Sequence, residues 1–255
     1  MSGTPWISFI VPVYREEENI ARMLRNLDAV LKTHPQWHSE VIIIEDGSPD
    51  GTRRVIEGEM PKYPYAQLLV HEKNHGYTTS LKDGIRLARG KFLMYIGADE
   101  EFDSSELPAF VRPLAGGEAD IVLGVRWQRN AYKLFRFFLS VIYIFTLNYL
   151  FRLRINDYNW SQAWPRELFE RIELKSDSLF VLPELIIKAH DLGYRIKEVP
   201  SNHRGRQAGK SSVNFRIMGR ALRDAFVFCA YRNSRNYAPA KNSRDGAAVL
   251  AELRS

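Results

Sequence analysis

Acidic residues follow three separate apolar runs in the first half of this 255-residue chain. Glu16 comes shortly after Ile7 to Val13, Asp46 and Asp50 follow Glu40 to Glu45, and Asp99, Glu100 and Glu101 follow Lys91 to Ile96. Carboxylates gathered in one crevice repel a phosphorylated ligand unless a cation stands between them. Hard oxygen donors select Mg²⁺ or Mn²⁺, which bridge carboxylates and phosphate oxygens and stabilise charge on a departing diphosphate. Asp99 is the expected first ligand, with Glu101 two residues on as its companion. Asp46 is better placed for the base or ribose of a nucleotide. Any one of these residues is ordinary turn chemistry, because Asp favours turns. The reading rests on the three run ends taken together.

Those residues need elements that bring them to one place. Ile7 to Val13, Glu40 to Glu45, Ala66 to His71, Lys91 to Ile96 and Asp120 to Gly124 read as strands that are apolar throughout, the pattern of strands buried on both faces. Glu16 to Leu31, a short segment from Thr52, Thr78 to Ala88, and Ser104 to Leu114 read as the intervening helices. Alternating strands and helices predict an α/β fold, a mostly parallel sheet with helices on both faces. In such sheets ligands bind beyond the carboxyl ends of the strands, which is where the acidic residues fall. The second half predicts helices over Lys133 to Leu153 and Leu179 to Leu192, a strand over Tyr194 to Val199, a basic loop over His203 to Ser212, and a basic amphipathic helix over Phe215 to Tyr231. From Asn233 the chain reads as a loose tail.

Composition narrows the partners. The net charge of +6 suits phosphate-rich ligands or an anionic surface. Nucleic-acid binding would rest on that charge alone and is not expected. The single cysteine, Cys229, excludes an internal disulfide and fits a reducing compartment. No signal peptide is read at the N-terminus. The apolar run Phe137 to Phe151 is shorter than the roughly 20 residues a spanning helix needs. It is either a buried helix or one lying on a membrane surface. Gly205 to Ser211 imitates a phosphate-binding P-loop, but has three residues between its glycines where the motif needs four.

The ordered series PVYREEENI, EDGSPDGT, EKNHGY and LKDGIRLARGKFLMYIGADEEF resembles glycosyltransferase family 2, which has the GT-A fold, over about residues 6 to 215. The resemblance implies a nucleotide-sugar donor, UDP- or GDP-linked, Mg²⁺ or Mn²⁺ as cofactor, and inversion at the anomeric carbon. It implies that Pro12, Tyr14, Glu16, Asp46, Gly97 and Ala98 line the nucleotide site and that Asp99, with Glu101, binds the metal. Gly97 stands where the family's metal motif has its first Asp, so one expected carboxylate is missing. With DIVLGVR ending at Arg126, DYNWS over Asp157 to Ser161, and Glu198-Val-Pro200 followed by Arg206, Gly209, Lys210 and Ser211, the second half is similar to polyprenyl-phosphate sugar synthases of the dolichol-phosphate mannose synthase type. That likeness implies catalytic roles for Arg126, Arg136, Arg206 and Lys210 beside the phosphates, with Arg136 and Ser140 facing the acceptor phosphate. It divides the chain into a catalytic domain over 1–212 (nucleotide-binding half 1–125, acceptor half 126–212), an amphipathic helix over 213–232 and a flexible tail over 233–255. It implies a polyprenyl phosphate acceptor (dolichyl or undecaprenyl) and peripheral attachment to the cytoplasmic face of a membrane. Two alternatives stay open. An acceptor hydroxyl would require a base, for which Glu184 is the candidate and Asp157 a weaker one. The missing carboxylate at Gly97 also fits a non-catalytic sugar-nucleotide binder. The oligomeric state is not legible.

Overall fold

The computed structural model describes residues 4–127, 134–205, 215–235 and 237–240, and of residues 134–137 and 215 the backbone alone. Seven strands form one sheet in the order β3-β2-β1-β4-β6-β5-β7. They are β1 (Ile7–Val13), β2 (Ser39–Glu45), β3 (Ala66–Val70), β4 (Phe92–Tyr95), β5 (Ile121–Arg126), β6 (Gln162–Pro165) and β7 (Ile196–Ser201). β1 pairs in parallel with both β2 and β4, β2 with β3, and β5 with β7. The expected strands are therefore present and the sheet is mostly parallel.

β6 is the exception. It lies between β4 and β5 and runs antiparallel to both. The sequence Gln-Ala-Trp-Pro is too short to show a period, and its glutamine argues against burial. Gln162 is nevertheless fully buried, because its amide donates to the Tyr158 carbonyl at 2.6 Å and accepts from Trp164 Nε1 at 3.1 Å.

Alternate residues of each central strand feed two different cores, which is why the runs are apolar throughout. Phe9, Val11, Val41 and Ile43 pack against α1 (Ile20–Thr33) and α4 (Leu107–Ala115). Ile10, Ile42 and Ile44 face the other way, with α3 (Tyr77–Leu87), α5 (Leu134–Phe151), α7 (Val181–Asp191) and α8 (Phe215–Arg232). Two short helices, α2 (Thr52–Glu59) and α6 (Arg166–Arg171), complete the set. α5 and α8 pack together, and Phe228 of α8 meets Phe151 and Phe180 at ring centroid distances of 5.9 and 5.6 Å. Arg232 ends α8 on Asp191 of α7 through bonds of 2.8 and 2.6 Å. Tyr237 donates to the same carboxylate at 2.7 Å. The segment expected to be loose from residue 233 is thus held at Tyr237 by a partly buried hydrogen bond. Burial alone would raise the Asp191 pKa, but its bonds from Arg232 and Tyr237 outweigh that and hold it below the ordinary value.

α3 lies close on the sheet because Gly84 has no side chain. A Cβ there would overlap Ile10 Cγ2 and stand 2.8 Å from Ile44 Cδ1. Gly84→Ala is expected to lower stability by about 1–3 kcal/mol through overpacking, read as a lower urea midpoint at unchanged slope.

Candidate functional site

β1 sits between two parallel neighbours that follow it in the chain on opposite sides, so connections leave it in both directions. The crevice beyond its carboxyl end is the place where such a sheet binds ligands. The loops after β1, β2 and β4 meet there, and hydrogen bonds stitch them together. Arg15 N donates to Ser48 Oγ at 3.0 Å and Glu16 N to Thr52 Oγ1 at 2.9 Å. Arg15 has φ +57, a left-handed turn straight after the exposed ring of Tyr14. Pro12 lies at the end of β1, and the Glu16 carboxylate is buried, accepting from Asn19 Nδ2 at 2.7 Å.

Asp46 is deeply buried and already well supplied with donors. It accepts from the backbone of His75 at 2.9 Å and Gly76 at 2.8 Å, and lies 2.7 Å from His71 Nδ1. Its visible work is to fasten the loop between β3 and α3 against the loop after β2. That fastening is close: a Cβ on Gly47, at φ +64, would stand 2.6 Å from Lys73 Cα.

The turn after β4 carries the acidic trio. Asp99 is partly exposed, and its Oδ1 accepts from Glu101 N at 3.3 Å. A Cβ built on Gly97 would lie 2.9 Å from that same Oδ1. The Asp99 carboxylate therefore leans into the space that a side chain at 97 would fill. Ala98, expected beside the nucleotide, buries its methyl in the core instead, so only its backbone can face a ligand. Beneath the turn, burial and then the Asp99 carboxylate push the Tyr95 hydroxyl pKa well up, while Arg126 pulls it down.

The start of the late basic loop reaches this turn from β7. Phe102 and His203 form an antiparallel bridge, and Arg204 N donates to the Glu101 carbonyl at 2.9 Å. His203 Nε2 lies 3.3 Å from Glu101 Oε2. His203 was absent from the expected site, hidden among basic residues. The available signal was its position just beyond a predicted strand, since β7 ends at Ser201 beside the end of β5. Among the described residues no three His, Cys, Asp or Glu side chains already converge as a metal cage. Asp99, Glu101 and His203 do supply two carboxylates and an imidazole, a donor set that suits a divalent cation whose other positions go to phosphate oxygens and water.

The remaining expected residues separate by their surroundings. Arg126, at the end of β5, grips the buried Asp157 with two bonds of 2.6 and 2.8 Å and lies over the Trp160 ring at 4.9 Å. Asp157 is thereby spent as a counter-ion and is no general base. Glu184 is held in an ion pair in the same way. It is 1% exposed, accepts from the backbone of Lys175 at 3.0 Å and Ser176 at 2.7 Å, and pairs with the buried Lys188 at 2.5 Å. That carboxylate closes the loop before α7. Ser140 lies half-buried on α5, while the Arg136 side chain, Arg206 and Lys210 lie outside the described residues.

Residues 8–173 match the family model described as Glycosyl transferase family 2, and the chain belongs to that family. Among its relatives, a dodecaprenyl-phosphate galacturonate synthase of Rhizobium johnstonii is 25% identical over 223 residues, covering 83% of this chain and 64% of the relative. Glycosyltransferase AglE of Haloferax volcanii is 28% identical over 123 residues, covering 48% of this chain and 40% of the relative. The chain thus spans less than two thirds of the length of either. In structure it is similar to glucosyl-3-phosphoglycerate synthase from Mycobacterium tuberculosis in complex with UDP, with a TM-score of 0.67 at 19% identity over 89% of this chain and 80% of that one. The same enzyme with Mn²⁺, UDP and glucosyl-3-phosphoglycerate gives a TM-score of 0.65 at 18% identity, covering 88% and 80%. These likenesses establish the GT-A type of fold.

Glu184→Gln is expected to destabilise the protein by about 3–5 kcal/mol, because it leaves Lys188 buried without its counter-charge. The check is chemical denaturation alongside turnover per folded molecule. A structural carboxylate leaves that turnover unchanged, whereas loss of a general base would abolish it.

Proposed function

We propose that this chain is an inverting glycosyltransferase that moves a sugar from a UDP- or GDP-linked donor onto a polyprenyl phosphate at a membrane surface. The observation that carries the lipid acceptor is the outer face of α5. Phe138, Val141, Ile142, Phe145 and Tyr149 recur at helical spacing and are all exposed, with Phe145 at 70% and Tyr149 at 77%. The opposite face of the helix, Tyr143, Leu147 and Phe151, is core. A helix apolar all round belongs in an apolar medium. Beside it, α8 exposes Arg216 and Arg220 together with Phe226 and Val227, the mixture of basic and apolar groups that favours an anionic lipid surface. Among the described residues no helix is long and apolar enough to cross a membrane; on this reading α5 and α8 lie against the cytoplasmic face of the membrane.

The chemistry follows from the groups present. A phosphate oxygen of the acceptor is already anionic near neutral pH, so it attacks the anomeric carbon without a strong base. The bond from that carbon to the nucleotide diphosphate breaks on the opposite side. This agrees with the commitment of both base candidates, Glu184 and Asp157, to ion pairs. A hydroxyl acceptor has no such support. A divalent cation, held by Asp99 with Glu101 or His203, would neutralise charge on the leaving diphosphate. Pro12, Tyr14, Glu16 and the loop fixed by Asp46 would shape the nucleotide pocket. Arg126, with Arg136, Arg206 and Lys210, would hold phosphate oxygens in line, and Ser140 would join Arg136 at the acceptor phosphate.

A thermal-shift screen of UDP and GDP sugars with and without Mn²⁺ identifies the donor, and transfer to a short polyprenyl phosphate in detergent tests the acceptor. Asp99→Ala is expected to reduce turnover by about 10²–10³-fold, the usual cost of one lost charge-stabilising group. Full activity in that variant would remove Asp99 from the metal site. Donor binding with no transfer to either a lipid phosphate or a soluble hydroxyl would favour a non-catalytic binder, the reading to which Gly97 points.

A further inference from the structure

Glu100 breaks the pattern of its turn. It stands between the two carboxylates expected at the metal, yet its own carboxylate is buried against α1. Arg22 Nε donates to Glu100 Oε2 at 3.1 Å, and Asn26 Nδ2 lies 3.2 and 2.9 Å from its two oxygens. Glu100 also has φ +60, a left-handed conformation that a glutamate adopts only under constraint. Strain of this kind persists where surrounding contacts over-determine it, and it clusters at functional turns. Here the constraint is identifiable. Reversing the backbone at 100 sends its side chain to the helix and leaves Asp99 and Glu101, on either side, to the cleft.

The tie extends further. Arg22 also donates to Asn19 Oδ1 at 3.0 Å, and Asn19 donates to Glu16 at 2.7 Å. Asn19, Arg22 and Asn26 are spaced to share one face of α1, which also packs against the short turn that begins at Ser104. A single hydrogen-bonded line thus runs from the loop after β1 to the turn after β4.

We propose that Arg22 and Asn26 are positioning residues for the metal turn, acting through Glu100 to hold the strained backbone that presents Asp99 and Glu101 to a divalent cation. This rests on the reading of Asp99 as a metal ligand. Arg22 is on a surface helix with its side chain 39% exposed, so its replacement costs stability through the buried Glu100 without breaking the core.

The test is Mn²⁺ affinity of the full chain, measured from the electron paramagnetic resonance of free Mn²⁺, alone and with saturating UDP. Arg22→Met is expected to weaken Mn²⁺ by about tenfold or more, the usual effect of removing a partner that orients a metal ligand. Arg22→Lys, which keeps a donor within reach of Glu100, is expected to recover most of the affinity. Thermal midpoints in EDTA are taken for each variant, and the affinities are compared well below the lowest of them, where every variant is folded. Asp99→Ala, run in parallel, separates the two ways of failing. If Asp99→Ala weakens Mn²⁺ while Arg22→Met and Asn26→Leu both stay within twofold of the parent, the positioning role is overturned and the metal reading stands. If Asp99→Ala leaves Mn²⁺ binding intact, the metal reading falls and takes this proposal with it.

Discussion

The cleft depends on β1 being flanked by parallel partners on both sides. Because β2 and β4 run the same way as β1, their carboxyl ends open on one edge of the sheet, and everything placed after them is delivered to one crevice. That arrangement holds because the two faces of these strands are both sealed. Ile10 and Ile44 are buried under α3, while Phe9 and Val11 are buried under α1 and α4. Gly84 lets α3 approach the sheet closely enough for this seal.

Within the crevice, polar groups fix the loops more than they face solvent. Asp46 fastens one loop, Glu16 and Thr52 join two others, and Glu100 is held by α1. Buried carboxylates that are fully supplied with donors make rigid supports. Asp99 and Glu101 are the partly exposed carboxylates of the β4 turn. The missing carboxylate at position 97 changes the geometry in a specific way. Asp99 leans over the glycine, and His203 comes to Glu101 from the other edge of the sheet.

The second half is organised around helices rather than strand ends. α5, α7 and α8 share one aromatic core, and Asp191 gathers Arg232 and Tyr237 at its edge. The same α5 that supplies Leu147 and Phe151 to this core turns Ile142 and Phe145 outward. A helix so divided seals the core with one face and leaves apolar side chains exposed on the other.

The sequence by itself determined the parallel strands, the helices between them and the acidic ends of β1, β2 and β4. These are local signals: a strand buried on both faces must be apolar at every position, and turn residues must follow it. It also determined the family, through motifs in a fixed order. β6 escaped because four residues carry no period and because the need of Gln162 for partners is met only by Tyr158 and Trp164 in the fold. Tertiary structure alone decided what each charge is for. Glu184 and Asp157 look like bases in sequence and are held as counter-ions in space, paired with Lys188 and Arg126. His203 joins Glu101 across a separation of 102 residues, and Glu100 meets Arg22 across 78. The role of a carboxylate depends on the charges, donors and solvent around it, and those are set by which distant segments the sheet brings together.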